Sequence, residues 1–458
     1  MFIKGVRSVL ESEWLVPIVF LFAMAGQIFN FITYSLSIIV GLIILILFLC
    51  EDVKNVVAII LYAPFYIKNI FYFPQEKLFT IAVVVAILAL LVSAAFKIAK
   101  CYKNNLFKRG EFYVALAVST VAYLLGGIIS NFSFERFLTI LMFCSASLLF
   151  YFLALNSTKD LARFMYKTFV WGALMVTFEI FICNYMEGGV SEIFSRYFID
   201  VGAENVNVAA LFILLGVCGA FGIGYRTKYD GAFFVLAVYF VASIFITRSR
   251  MIIFLSCVTL AFFTVICFLD SPNKKSFAIC FCGLLALVFI TAAANVHAFV
   301  EIFDGFSEKN GLSGRDRLWK WCVQKFKEYP VFGIGFIFED GAPSANAEAA
   351  RYVLAHNTVI QWLCSLGIFG TLLMLYYTFK KYQILSRSMN VEFILRFTLI
   401  MIAVSGIVDQ AAQMDPFILN ITIVVIAALE NLERNEEKER YINTYGYKRI
   451  IQEAELKR

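Results

Sequence analysis

Residues 206–270 read VNVAALFILLGVCGAFGIGYRTKYDGAFFVLAVYFVASIFITRSRMIIFLSCVTLAFFTVICFLD. Three apolar runs, 206–225, 231–247 and 250–269, are separated only by Arg226-Thr-Lys-Tyr-Asp230 and by Thr247-Arg-Ser-Arg250. Each run is long enough to cross a hydrocarbon layer about 30 Å thick as a helix. Lipid offers the backbone no hydrogen-bond partner, so such a segment must bond within itself. The stretch therefore predicts three consecutive membrane-spanning helices joined by very short turns.

Similar runs continue on both sides, at 15–32, 34–50, 53–73, 78–98, 112–130, 135–155 and 163–185 before it, and at 276–296, 357–379, 392–410 and 415–430 after it. The predicted fold is an all-α polytopic integral membrane helix bundle with about 12–14 transmembrane helices. Composition agrees. The 458 residues are 61% hydrophobic and 16% charged, whereas soluble domains are roughly half apolar and a quarter charged. The expected parts are helices 1–11 over residues 1–296, an extracytoplasmic loop at 297–356, helices 12–14 at 357–430 and a charged tail at 431–458. Lys4 and Arg7 ahead of the first run imitate a signal peptide, but no small-residue cleavage site follows, so the run reads as a retained helix.

The net charge of +6 is spread over short loops, which reports topology and not nucleic-acid binding. Lys97, Lys100, Lys103, Lys108 and Arg109, then Lys159, Arg163 and Lys167, Arg226 and Lys228, Lys274 and Lys275, Lys380, Lys381 and Arg387 fall in alternate loops. With the tail from Arg434 they hold roughly two-thirds of the 39 Lys and Arg, which puts both termini in the cytoplasm. Of 11 cysteines, Cys50, Cys144, Cys218, Cys257 and Cys267 lie inside apolar runs, and Cys280/Cys282 is the only close pair in sequence. That pattern predicts neither a disulfide framework nor a metal site, and two histidines give a transition metal little support. There is no P-loop, Gly-x-Ser-x-Gly, His-Glu-x-x-His or CxxC motif.

Two outer segments exceed what a turn needs: Glu187 to Asn205, with Glu192, Arg196, Asp200 and Glu204, and His297 to Ala355. A structureless loop of about sixty residues is improbable without a task. Ser313-Gly-Arg-Asp316 has the form of a capping box and predicts a helix over 314–329. Leu318, Trp319, Cys322, Val323, Phe326 and Tyr329 form its apolar stripe, which suits an amphipathic helix on the membrane surface, ended by Pro330, Gly333 and Gly335.

Arg248 and Arg250 stand on the outer side against the positive-inside trend, as ligands of an anion or as snorkelling anchors at a helix end. Arg315 opens the loop helix, where free N–H groups favour an anion, or is simply solvated; Arg317 beside it suits lipid headgroups. His356 is one of two histidines, the other, His297, being an interface residue. A histidine side chain titrates near neutrality and can accept a proton from a hydroxyl. Its plainer role is to precede a helix capped by Asn357 or Thr358. Lys68, Glu179 and Asp409 share an outward depth within their runs, which suggests a polar cavity opening outward.

Ser313-Gly-Arg-Asp-Arg-Leu-Trp319, Tyr329-Pro-Val-Phe-Gly-Ile-Gly335, His356-Asn357 and Gly367-Ile-Phe-Gly370, in that order and spacing, resemble the O-antigen ligase and O-antigen polymerase family of bacterial envelope glycosyltransferases. Thr247-Arg-Ser-Arg250 and Asn205-Val-Asn207 look like further family features. The resemblance implies a GT-C-like helical enzyme of the bacterial inner membrane. It would transfer glycan repeat units from an undecaprenyl-pyrophosphate carrier at the outer face, with no metal, nucleotide sugar or other cofactor. Under it Arg248, Arg250 and Arg315 hold the pyrophosphate and stabilise it as leaving group. His356 orients or deprotonates the acceptor hydroxyl, and Asn357, Asn207, Asp409 and Glu179 support the site. The implied partners are the lipid-linked oligosaccharide, a glycan acceptor, the bilayer, a flippase and a chain-length regulator. A polymerase of O-antigen, capsule or exopolysaccharide is the first reading, and a ligase acting on lipid A core is the alternative. A transporter of the same lipid-linked glycan would require charges along a path and repeated halves, and the sequence displays neither.

Overall fold

The computed structural model describes residues 2–29, 31–63, 77–104, 107–130, 132–158, 160–189, 206–294, 315–335, 355–387, 393–408 and 416–441. Lys68, Glu192, Arg196, Asp200, Glu204, His297, Ser313 and Asp409 lie outside the described residues. All regular structure among the described residues is helical: α1 (Phe2–Leu10), α2 (Leu15–Ile28), α3 (Ile32–Leu49), α4 (Lys54–Leu61), α5 (Lys77–Lys103), α6 (Phe112–Leu125), α7 (Phe134–Leu155), α8 (Leu161–Gly188), α9 (Val206–Gly224), α10 (Asp230–Ile246), α11 (Arg250–Asp270), α12 (Lys274–Ala294), α13 (Arg315–Glu328), α14 (Thr358–Arg387), α15 (Phe393–Val408) and α16 (Pro416–Tyr441). The protein is an all-α polytopic membrane protein.

Every predicted apolar run contains a helix, but run length and helix length differ. Among the described residues five helices are long and apolar enough to cross a membrane: Arg136–Leu155, Leu161–Met186, Val206–Gly224, Arg250–Asp270 and Thr358–Arg387. Four shorter apolar helices accompany them, and α1 with α2 forms a pair bent by 70°. Full-length and short helices thus mix among the described residues, within the all-α polytopic fold that the sequence predicts. The run 112–130 shows the physical reason: α6 stops at Leu125, where Gly126 leaves helical geometry and Gly127 has φ 71°. Its 14 residues reach only about 21 Å at 1.5 Å per residue.

Two helices form the centre. In α9 the residues Val208 to Leu215 are buried on all sides, as are Ile421 to Leu429 in α16, which is what a helix apolar around its whole circumference requires. The α8–α9 contact depends on glycine, because a Cβ on Gly216 would meet Ala173 Cβ at 2.2 Å and one on Gly219 would meet the Tyr166 carbonyl at 2.6 Å. Around this centre Ile18, Leu21, Phe254, Phe262 and Val265 face outward, as lipid-facing residues do.

One end of the bundle is closed by polar side chains. Glu430 accepts from the Glu111 and Phe112 amides at 2.7 and 3.1 Å, capping α6 from another helix, and also accepts from the Tyr151 hydroxyl. Lys108 donates to Asn431 at 2.6 Å, and Asn55 donates to the Leu10 and Ser12 carbonyls at 2.8 and 2.9 Å. These residues lie in or beside the helix ends that the charge pattern places on one side. The candidate residues come from the other end.

Candidate functional site

The α10–α11 hairpin turns in three residues. Thr247 ends α10, its hydroxyl donating to the Ile244 carbonyl at 2.6 Å. Arg248 follows with φ 53°, in the left-handed region that costs a side chain with a Cβ about 1–2 kcal/mol. Glycine is the usual residue at this position after a helix. Ser249 then precedes α11, buried, and its hydroxyl has no hydrogen-bond partner among the described residues. Arg250 is exposed in the first turn of α11, where backbone N–H groups lack intrahelical acceptors. Two arginines, a buried hydroxyl and a helix N-terminus thus fall within four residues of the chain, and each is a ligand type for an anion.

Beyond the loop, α14 is broken. Gly367 has φ 64° and ψ −168°, which removes the bonds that Ile368 and Phe369 amides would make to the Cys364 and Ser365 carbonyls. The segment 330–335 takes up all four groups. Ile368 and Phe369 amides donate to the Pro330 and Val331 carbonyls at 2.8 and 3.2 Å, while Ile334 and Gly335 amides donate to Cys364 and Ser365 carbonyls at 2.9 and 2.8 Å. Irregular backbone at this depth is sustained because protein encloses it and satisfies it. Gly127 N donates to the Phe332 carbonyl at 2.7 Å, Ser130 Oγ to the Gly333 carbonyl at 2.9 Å, and buried Arg136 lies against Gly335 while donating to the Gly126 carbonyl at 3.0 Å. The Tyr329–Gly335 and Gly367–Gly370 motifs, separate in sequence, are two halves of one joint.

That joint positions the start of α14. Asn357 Oδ1 accepts from the Val359 and Ile360 amides, both at 3.0 Å, and so caps the helix. His356, half-buried, precedes it with φ 49°. On its other flank the Ala355 amide donates to Gln361 Oε1 at 2.6 Å, and the Ala355 carbonyl accepts from Trp319 Nε1 of α13 at 2.6 Å. Thr358 Oγ1 donates to the Gly406 carbonyl of α15 at 2.6 Å. Helix α15 packs on α9 and α11 as well as on α14, so the His356 turn and the arginine hairpin stand at the same end of the bundle.

The loop helix differs from its expected setting. Leu318 and Cys322 seat on Ala355 and Cys364, with Trp319 and Trp321 around them, so this half of the stripe faces protein and not the membrane surface; Val323 and Tyr329 stay exposed. Lys325 donates to Glu328 at 2.7 Å and holds its carboxyl below the usual carboxylate range. Arg315 is the first residue of α13, and Arg317, two residues on, is exposed. Asn207 is half-buried at the start of α9, and Glu179 is buried in α8. Gln361 and Arg136 escaped the sequence reading: their types are common, and only the folded chain brings Gln361 to the Ala355 amide and Arg136 to the Gly126 carbonyl.

Residues 208–375 match the family described as O-antigen ligase. That range contains Arg248, Arg250, Arg315, His356 and Asn357, and excludes Glu179, Asn207 and Asp409. No curated protein matches the chain.

Proposed function

We propose that this chain, whose residues 208–375 match the family described as O-antigen ligase, is a membrane enzyme of O-antigen ligase or polymerase type that polymerises glycan repeat units carried on polyprenyl pyrophosphate at the outer face of the bacterial cytoplasmic membrane. Both termini are cytoplasmic in this reading, and the arginine hairpin and His356 face outward. The observation that carries it is the left-handed backbone at Arg248 and His356. Strained geometry persists where the surroundings over-determine it, and it gathers at sites of function. Among the described residues a third non-glycine residue of this kind, Arg226, lies at the opposite end and is paired with Asp270 at 2.9 Å.

In the proposed reaction the acceptor hydroxyl attacks the anomeric carbon of the donor glycan while the bond from that carbon to the pyrophosphate oxygen breaks. The electron pair leaves with the pyrophosphate. Arg248, Arg250 and Arg315 stabilise the developing negative charge as fixed donors, without a metal. His356 removes the hydroxyl proton as the new bond forms. Asn357 keeps the histidine at the head of α14, and Gln361 with Trp319 holds the preceding peptide.

The ligase reading is second, favoured by the description of the matched family. Purified protein in liposomes, supplied with polyprenyl-pyrophosphate-linked repeat units, separates the two. A polymer ladder from wild type, unaffected by a chelator and lost in Arg248→Ala, Arg315→Ala and His356→Ala with the protein still folded, supports the polymerase and its site. Equal ladders from the variants sink the site assignment. No ladder, with transfer to an added lipid A core acceptor, gives the ligase.

A further inference from the structure

Cys322 and Cys364 are far apart in sequence and adjacent in space. Cys322 lies in α13 and Cys364 in the first half of α14, and with Leu318 and Ala355 they form a small core separate from that of the bundle. Their relative exposures are 1% and 0%, and both are thiols in this structure. The neighbouring Cys364 thiol holds the Cys322 thiol below its ordinary value. The sequence pair Cys280/Cys282 is no rival: residues two apart in one helix do not face each other.

We infer that Cys322 and Cys364 form a disulfide that staples α13 to α14 behind the His356 turn. The inference rests on the outward orientation proposed above, because disulfides persist on the extracytoplasmic side of bacterial membranes and are rare in the cytosol. The oxidant is a disulfide of the thiol–disulfide exchange class. Cys322, as thiolate, attacks one of its sulfurs and releases the first thiol. Cys364, deprotonated, then attacks Cys322 in the mixed disulfide and releases the second, so two thiols are oxidised and one disulfide is reduced to two thiols. The bond closes a loop of about forty residues and so restricts the unfolded chain. It fixes Trp319 of α13 against Ala355, next to His356. Once the core closes, burial shields the bond from reductants.

The test uses full-length protein. Cells are treated with N-ethylmaleimide, and the protein is purified under denaturing conditions and digested without reductant for mass spectrometry. In parallel, Lys320→Cys in a Cys322→Ser/Cys364→Ser background is probed in intact cells with a membrane-impermeant maleimide. The expected result is a linked Cys322–Cys364 peptide in the bulk of the protein, labelling at position 320 without permeabilisation, and a lower melting temperature for wild type after reduction but not for the double variant. Two alkylated cysteines with labelling from outside overturn the disulfide and leave the orientation standing. Two alkylated cysteines with labelling only after permeabilisation overturn both.

Discussion

Arg248 occupies the position after α10 where glycine would be less strained, and its φ of 53° separates what the backbone prefers from what the side chain does. Replacing it with glycine relieves about 1 kcal/mol of strain while removing the guanidinium. The expected outcome for Arg248→Gly is a melting temperature equal to or above wild type together with a loss of transferase rate of about a hundredfold, the scale of deleting one fixed donor to a developing anion. Parallel loss of both would make Arg248 a structural residue. Asn357 invites a related comparison, since its Oδ1 caps α14 beside His356. Asn357→Ala should cost about 1 kcal/mol of stability and lower the rate more than that change explains. Asn357→Asp keeps the cap and should restore both, as measured by thermal melting and by polymer formation.

Helix α14 is one element by sequence and two by structure. A Cβ on Gly367 would meet the Val331 carbonyl carbon and oxygen at 2.4 Å, and its φ of 64° disfavours any other residue. Gly41, inside α3, has nothing within 4 Å of that position. Gly367→Ala is therefore expected to destabilise the protein by more than about 2 kcal/mol, because backbone cannot retreat from backbone. Gly41→Ala should be neutral or stabilising by up to about 1 kcal/mol. Thermal melting in detergent compares them, and equal effects would mean that the α14 break is not held by segment 330–335. At the other end Glu430 caps α6 from α16. Glu430→Ala leaves two amides and the Tyr151 hydroxyl without their acceptor, so it should lower stability by about 3 kcal/mol. The rate per folded molecule should stay unchanged, because Glu430 lies at the opposite end from His356.

For the whole molecule the proposed orientation has a simple readout. A cysteine at exposed Lys228, in the loop between α9 and α10, should resist a membrane-impermeant maleimide until cells are permeabilised. One at Arg250 should react in intact cells, and the reverse pattern would invert the orientation. Much of this architecture was legible in the chain, because a membrane leaves each apolar run one secondary structure to adopt, and the runs from Leu15 to Leu429 mark helices in the right order. Candidate residues were legible for an equally local reason: Arg248 and Arg250 break a charge trend, and His356 is one of two histidines. Helix lengths were not, since Gly126 and Gly127 end α6 where hydropathy would continue it. Nor was the joint between Pro330–Gly335 and the α14 break, the Trp319–Ala355 bond or the Cys322–Cys364 pair. The sequence by itself determined which segments are helices and which polar groups are anomalous, because hydrophobicity and charge act locally. Only the tertiary structure decided which unpaired carbonyls and amides meet, because those bonds join residues that the chain keeps tens of positions apart.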